Sequence, residues 1–253
     1  MTTPPTLAGR MKRYEHQTRF ELPKRTYTLL RVDGKAFHTW TKGLKRPFDE
    51  DFTAGMNATA VELARCVSGA KFAYVQSDEI SLLVTDFADH GTEPWMGGVL
   101  QKVVSLSASI ATAAFNREAV AHDRPPAAFD SRVWTIADPN EVMNYFIWRQ
   151  RDCVKNSITM AASTVCSHRE LNGLNSDQRQ ELMWKRGINW NEYPEGWKRG
   201  RVSVRETYWV DGQDGKVERS RWVTRPAEHF SAQAGGWLVA HIPRMPELPA
   251  DVL

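Results

Sequence analysis

Apolar and polar residues alternate along 26-TYTLLRVD-33, between Pro23 on one side and Asp33-Gly34 on the other, and the two-residue period predicts a buried strand. A loop punctuated by Gly43 and Pro47 follows. From Asp49 or Asp51 onward, Phe52, Met56, Ala60, Leu63 and Val67 recur at threes and fours, the spacing of a helix with one apolar face. Acid at its start and Gly69 beyond its end fit helix-cap chemistry. Two further apolar runs, 71-KFAYVQ-76 and 80-ISLLVTDF-87, lie so close that they must pair as an antiparallel hairpin, with Ser77-Asp78-Glu79 at or beside the bend. A long helix rich in Ala and Ser is predicted over 97–120, and a fourth strand over 131–137.

The order β-α-β-β-α-β predicts an α+β fold of the ferredoxin-like type. In that topology the first and third strands are antiparallel central neighbours, so Asp33 and Asp78 should meet in space. Beyond Asp138-Pro139, which suits a helix start, 139–168 reads as helical and 176–187 as a short helix. Residues 201–225 read as a hairpin turning at 211-DGQDG-215. The expected organisation is a sheet domain over 1–138, with a helical and hairpin extension over 139–253 packed on it as one continuous unit. The first ten residues read as mobile, and Trp184, Trp190 and Trp197 as core, with stacking surfaces the alternative.

Two carboxylates a few ångströms apart on a partly buried sheet edge repel each other, and each also loses hydration. Lys or Arg, a shared proton or a divalent cation must compensate. Strand-end acids facing a crevice suit Mg²⁺, which prefers oxygen and keeps positions open for phosphate. Gly34 would let a backbone carbonyl join the metal, or let a triphosphate approach closely. The plain alternative is that Asp33-Gly34 and Ser77-Asp78-Glu79 are ordinary turns. The expected adjacency of the acids, with Lys45 and Arg46 in the intervening loop, favours the metal reading. His38 fits a nucleotide contact or a packed side chain equally well. No P-loop, G-x-S-x-G or H-E-x-x-H motif is present.

Composition narrows the setting. With 253 residues, 42% hydrophobic and 25% charged, the chain can bury a core and is not disordered. Cys66, Cys153 and Cys166 form no C-x-x-C pair, which argues against zinc and for reduced cytosolic thiols. No apolar signal core and no window near eighteen apolar residues occur, so the expectation is a cytoplasmic protein without a membrane segment. Net charge is only +3. Basic residues gather at Lys42/Lys45/Arg46, Arg149/Arg151/Lys155 and Lys198/Arg199/Arg201, clusters that suit phosphates, although each alone is more often a solvated face.

The segments 31-RVDGKAFHTWTKGLKRPFD-49, 74-YVQSDEISLLVTDF-87 and 148-WRQRDCVKNSI-158 resemble the tRNA(His) guanylyltransferase family, in particular its bacterial-type branch of 3′-5′ RNA polymerases. The resemblance runs from about Met11 to about Gly200. It implies a polymerase-palm βαββαβ domain, with Asp33, the Gly34 carbonyl and Asp78 holding two Mg²⁺ and Glu79 as an adjacent required acid. It further implies nucleotide binding by Asp33, Gly34, Lys35, Ala36, Phe37, His38, Ser77 and Asp78, triphosphate contact by Lys45 or Arg46, and a contact from Asn156. ATP and GTP or another NTP are the implied substrates, beside a tRNA with an incomplete or unmodified 5′ end, and the implied assembly is a homotetramer.

The His- and Asn-rich motif of eukaryotic members is replaced here by 149-RQRDCVKNSI-158, which favours template-directed repair of truncated 5′ ends over maturation of tRNA(His). The alternatives are addition of the extra 5′ G to tRNA(His), a palm-type nucleotide cyclase, and an RNA-binding module without catalysis.

Overall fold

A computed structural model describes residues 6–246 apart from 90, 213, 214 and 234. After α1 (Leu7–His16), β1 (Tyr27–Gly34) leads to α2 (Glu50–Cys66), the β2 (Ala70–Gln76) and β3 (Glu79–Thr85) hairpin, α3 (Leu100–Phe115) and β4 (Phe129–Ile136). The long α4 (Pro139–Ala162) and short α5 (Ser176–Trp184) precede the hairpin of β5 (Arg201–Gly212) and β6 (Gly215–Pro226). The strands form one antiparallel sheet in the order β4-β1-β3-β2-β5-β6. Its first four strands have the α+β, ferredoxin-like order with β1 beside β3. The C-terminal hairpin continues this same sheet through β2, with Phe72 opposite Val204 and Val75 opposite Arg201. Of its expected turn, Gln213 and Asp214 lie outside the described residues.

The pleat sorts the strand residues between two cores. Leu30, Val32, Ala73, Val75, Ile80 and Leu82 pack with Met56, Leu63, Val103 and Phe115 of α2 and α3. Tyr27, Leu29, Phe72, Tyr74 and Leu83 pack with Val142, Tyr145 and Phe146 of α4. The sheet is therefore covered on both faces, and Arg31, Asp33 and Glu79 fall by alternation on the α4 side. Asp49 caps α2 by accepting the Phe52 N–H at 2.9 Å. Small residues let α3 sit close: the Ser107 hydroxyl donates to Ser131 Oγ of β4 at 2.8 Å.

Several boundaries differ from the sequence expectation. The third helix starts at Leu100 rather than 97, because Met96, Gly97 and Gly98 hold φ of 54°, 63° and 69°, values a right-handed helix cannot accept. The helix over 139–168 stops at Ala162. There the Ser163 and Thr164 hydroxyls donate to the Thr159 and Ala161 carbonyls, and Ser167 with Glu170 forms a capping box that opens a separate turn. Leu7–His16 is helical although the first ten residues read as mobile; residues 1–5 lie outside the described chain.

Of the three tryptophans, Trp190 is buried and donates to Ser157 Oγ at 3.1 Å, and Trp197 stacks on Phe48. Trp184 is 65% exposed, because Met183 takes the inward position on α5. No helix among the described residues is long and apolar enough to cross a membrane.

Candidate active site

The β2–β3 bend consists of Ser77 and Asp78, with Ser77 at φ 45°, the left-handed conformation that tight hairpin turns demand. The last residues of β1 are clamped between this bend and β4. Gly34 N–H donates to the Asp78 carbonyl at 3.1 Å, and Lys35 N–H donates to the Ala128 carbonyl at 2.8 Å. Asp33 and Asp78 are thereby brought together, as the topology requires. Gly34 has a packing reason of its own: a Cβ there would stand 2.3 Å from the Phe37 ring.

Register builds the surroundings. Asp33 sits opposite Glu79 on one side and Asp130 on the other, so three carboxylates lie abreast across β3, β1 and β4. Two residues along, Arg31 lies opposite Ser81 and Arg132. Arg132 Nη2 is 3.7 Å from Asp33 Oδ2, and its Nε is 3.7 Å from Asp130 Oδ1. Glu79 is buried under α4. Both its oxygens accept from Arg149, at 2.8 and 2.7 Å, and Oε1 also accepts from Gln76 and Ser81. Arg149 continues to Asp152 at 3.1 Å, and Asp152 accepts from Asn156 at 3.2 Å. A polar chain thus runs from the sheet edge up one side of α4.

Burial pushes the Asp78 carboxyl up to about 6, and the neighbouring Asp33 and Glu79 charges act in the same direction against the Ser77 hydroxyl and Asp78's own N–H. Asp33 is raised as well, first by burial and then by Glu79 and Asp130, with Arg132 and Arg31 opposing. The charge at this edge is under-compensated. Arg31 Nε is buried without a hydrogen-bond partner, 4.0 Å from Glu79 Oε2.

Among the described residues no group of three or more His, Cys, Asp or Glu side chains is gathered to cage a metal, and Glu79 is taken up by Arg149. Two carboxylates beside a backbone carbonyl nonetheless fit Mg²⁺, which takes one or two carboxylates and fills its other positions with water and phosphate. The donor set of Asp33, Asp78 and Gly34 is of that kind.

The other expected contacts spread outward. Lys35, Ala36 and His38 are exposed, with Ala36 at φ 57°, whereas the Phe37 side chain is buried against Phe115 and Phe129. Lys45 and Arg46 are exposed, and among the described residues neither forms an ion pair with Asp33 or Asp78; Arg132 and Arg31 stand nearer instead. The Lys198/Arg199/Arg201 cluster is not a phosphate face. Lys198 is buried and donates to the Asn191 carbonyl, and buried Arg201 donates to Asn57 Oδ1 and the Gly196 carbonyl.

The family model described as tRNAHis guanylyltransferase (Thg1) matches residues 8–137, about half of the chain and the whole of the βαββαβ unit. The chain belongs to the tRNA(His) guanylyltransferase family. The tRNA(His) guanylyltransferase of Debaryomyces hansenii is 30% identical over 81% of this chain and 82% of its own. A bacterial Thg1-like protein solved in complex with ATP is 43% identical, with a TM-score of 0.79 over 87% of this chain and 91% of its own. Another such structure, in complex with GTP, is 40% identical with a TM-score of 0.71 over 87% and 90%. The matched segment takes in β1 to β4, and the β5–β6 hairpin lies beyond it.

Arg31, Asp130 and Arg132 were not singled out by the sequence, and Arg149 only as part of a basic cluster. Arg31 was within reach, since it lies two residues before Asp33 on a strand and must share its face. The places of Arg132, Asp130 and Arg149 depend on β1–β4 register and helix docking, for which the sequence carries no local signal.

Proposed function

We propose that this chain is a Mg²⁺-dependent nucleotidyltransferase that adds nucleotides in the 3′-5′ direction to the 5′ end of a truncated tRNA, copying the opposite strand. The observation that carries the reading is the meeting of Asp33 and Asp78 at the end of β1, joined by the Gly34 to Asp78 backbone hydrogen bond. Family membership supports it, as does the greater similarity to the bacterial Thg1-like proteins holding ATP and GTP than to the guanylyltransferase of Debaryomyces hansenii.

Two displacements at phosphorus are needed. In the first, a 5′-monophosphate oxygen of the RNA attacks the α-phosphorus of ATP and pyrophosphate leaves. In the second, the 3′-hydroxyl of an incoming NTP attacks the activated 5′-phosphorus, and AMP leaves as the new phosphodiester forms. Both require in-line positioning and neutralisation of spreading negative charge. Mg²⁺ held by Asp33, Asp78 and the Gly34 carbonyl would supply neutralisation and polarise phosphoryl oxygens. Arg31 and Arg132 keep a triphosphate from meeting an unrelieved row of acids. Glu79, locked to Arg149, fixes the bend that carries Asp78. Ser77, Lys35, Ala36, His38, Lys45, Arg46 and Asn156 serve as nucleotide contacts in this reading, with Phe37 contributing through its backbone. A homotetramer working in the cytoplasm completes the reading.

The test is incubation of the protein with Mg²⁺, ATP, labelled NTPs and a 5′-monophosphorylated tRNA lacking its first nucleotide, beside Asp33→Ala and Asp78→Ala. Restoration of the templated nucleotide by the wild type alone supports repair. Addition of G only, and only to tRNA(His), replaces repair with the maturation reading. NTP turnover without RNA replaces both with a cyclase, and RNA binding without any nucleotide chemistry favours the non-catalytic module.

A further inference from the structure

Trp148 lies one residue from Arg149, whose guanidinium grips Glu79 beside the candidate catalytic acids, yet the Trp148 ring is 54% exposed. One side of the indole is engaged: the Arg149 guanidinium lies over it, 4.5 Å from the ring centroid, and Tyr145 tilts against it at 6.0 Å. Trp148 also lines an open groove. Its near wall is the Asn144, Trp148 and Arg151 stripe of α4, and its far wall is residues 229–233, including His229 and Gln233.

The groove is built rather than incidental. Buried Gln150, on the next position of α4, accepts from Phe230 N–H at 2.7 Å and donates to the Glu228 carbonyl at 2.7 Å, pinning the far wall to the helix. Phe230 anchors it from beneath by packing on Tyr74 and Trp237. Among its described lining residues there is no carboxylate; Glu141, at the rim, accepts from the Asn144 amide at 3.0 Å, while Arg151 contributes a fixed positive charge and His229 and Gln233 contribute hydrogen-bonding groups. An exposed indole beside an arginine, in a groove whose lining carries no acid, is how proteins hold single-stranded nucleic acid: the ring stacks a base and the cation meets a phosphate.

We propose that this groove holds an unpaired nucleotide of the RNA immediately beside the reacting 5′ end, its base stacked on Trp148 and its phosphate on Arg151. The proposal rests on the reading of the chain as an enzyme of RNA 5′ ends. A stem that has lost its first nucleotide leaves such an unpaired residue on the opposite strand. Through Arg149, the stacked base would be connected to the Glu79 that steadies the Asp78 bend.

The experiment compares wild type, Trp148→Ala, Trp148→Phe and Arg151→Gln by fluorescence anisotropy with two labelled RNAs. One is a 5′-monophosphorylated hairpin with an unpaired nucleotide opposite its 5′ end, and the other is the same hairpin with a flush end. Urea midpoints and light-scattering masses accompany each variant. Trp148→Ala is expected to weaken binding of the first RNA about tenfold to a hundredfold and to leave the flush hairpin within about threefold, with Phe restoring most of the loss. Arg151→Gln is expected to lower the slope of log affinity against log salt by about 0.7, whereas Trp148→Ala leaves it unchanged.

Equal losses on both RNAs, or none, overturn the proposal. So does a change of mass in Trp148→Ala, which would make the groove a contact between copies of the chain. Wild-type protein that neither binds nor extends any RNA sinks the functional reading itself and this proposal with it; extension of RNA by wild type and Trp148→Ala with equal affinity sinks the proposal alone.

Discussion

Replacing Arg149 by alanine leaves the Glu79 carboxylate in a place built for an ion pair. The two side chains are 9% and 10% exposed and are joined by two hydrogen bonds of 2.8 and 2.7 Å. Removing one partner of a buried pair costs about 3–5 kcal/mol, because the remaining charge keeps its desolvation penalty without its counter-charge. Gln76 and Ser81 still donate to Glu79, at 3.2 and 3.3 Å, and Arg31 stands 4.0 Å away, so the lower end, about 3 kcal/mol, is expected. Glu79→Gln alone should cost less, about 1–2 kcal/mol, since Arg149 retains Asp152 at 3.1 Å on the half-exposed side. The double variant removes both charges, and it should be more stable than Arg149→Ala alone, with a coupling energy of about 2 kcal/mol or more. Urea unfolding of the four proteins, with slopes compared to confirm a common transition, measures this cycle. A loss below about 1 kcal/mol for Arg149→Ala, or additive single effects, would refute the account of Glu79 as a buried, Arg-compensated acid.

Asp78→Asn should leave folding intact in metal-free buffer, since a half-buried carboxylate without a cationic partner is replaced by a neutral isostere. It should also lower nucleotide addition by about 10²-fold or more, read in single-turnover assays. Mg²⁺ should raise the melting temperature of the wild type and not of this variant, as expected when a ligand binds only an intact folded site; equal shifts in both would remove Asp78 from the metal site. Gly34→Ala should cost about 1–3 kcal/mol, because the new Cβ would lie 2.3 Å from the Phe37 ring, and Phe37→Leu in the same chain should recover part of the loss in thermal melts. Thiol titration at pH 8 should find one accessible cysteine, Cys66. Cys153 is buried and pushed up to about 11, leaving about one molecule in a thousand as thiolate, and buried Cys166 should report only after unfolding. A second fast thiol in the native protein would contradict the burial of Cys153 on α4 or of Cys166 beyond its end.

Local patterns in the sequence sufficed for the β-α-β-β-α-β order and for the nearness of Asp33 and Asp78. Period-2 and period-3.6 alternation is written residue by residue, and a split βαβ order leaves few topologies. Helix ends were legible only where a single residue decides them: Asp49 caps α2 as its position suggests, while the stop at Ala162 depends on hydroxyls competing for carbonyls over several residues. Hydrophobicity misplaced Trp184, because one turn of helix can direct Met183 inward and its neighbour to solvent. What tertiary structure alone decided is who faces whom. Burial of Lys198 and Arg201, the grip of Arg149 on Glu79, and the row of Glu79, Asp33 and Asp130 across three strands all join residues far apart in the chain. Such pairings follow from strand register and helix docking, which minimise the free energy of the whole packed molecule. The composition of a segment determines its period and its caps, but the partner of a buried charge is settled only when the entire core closes around it.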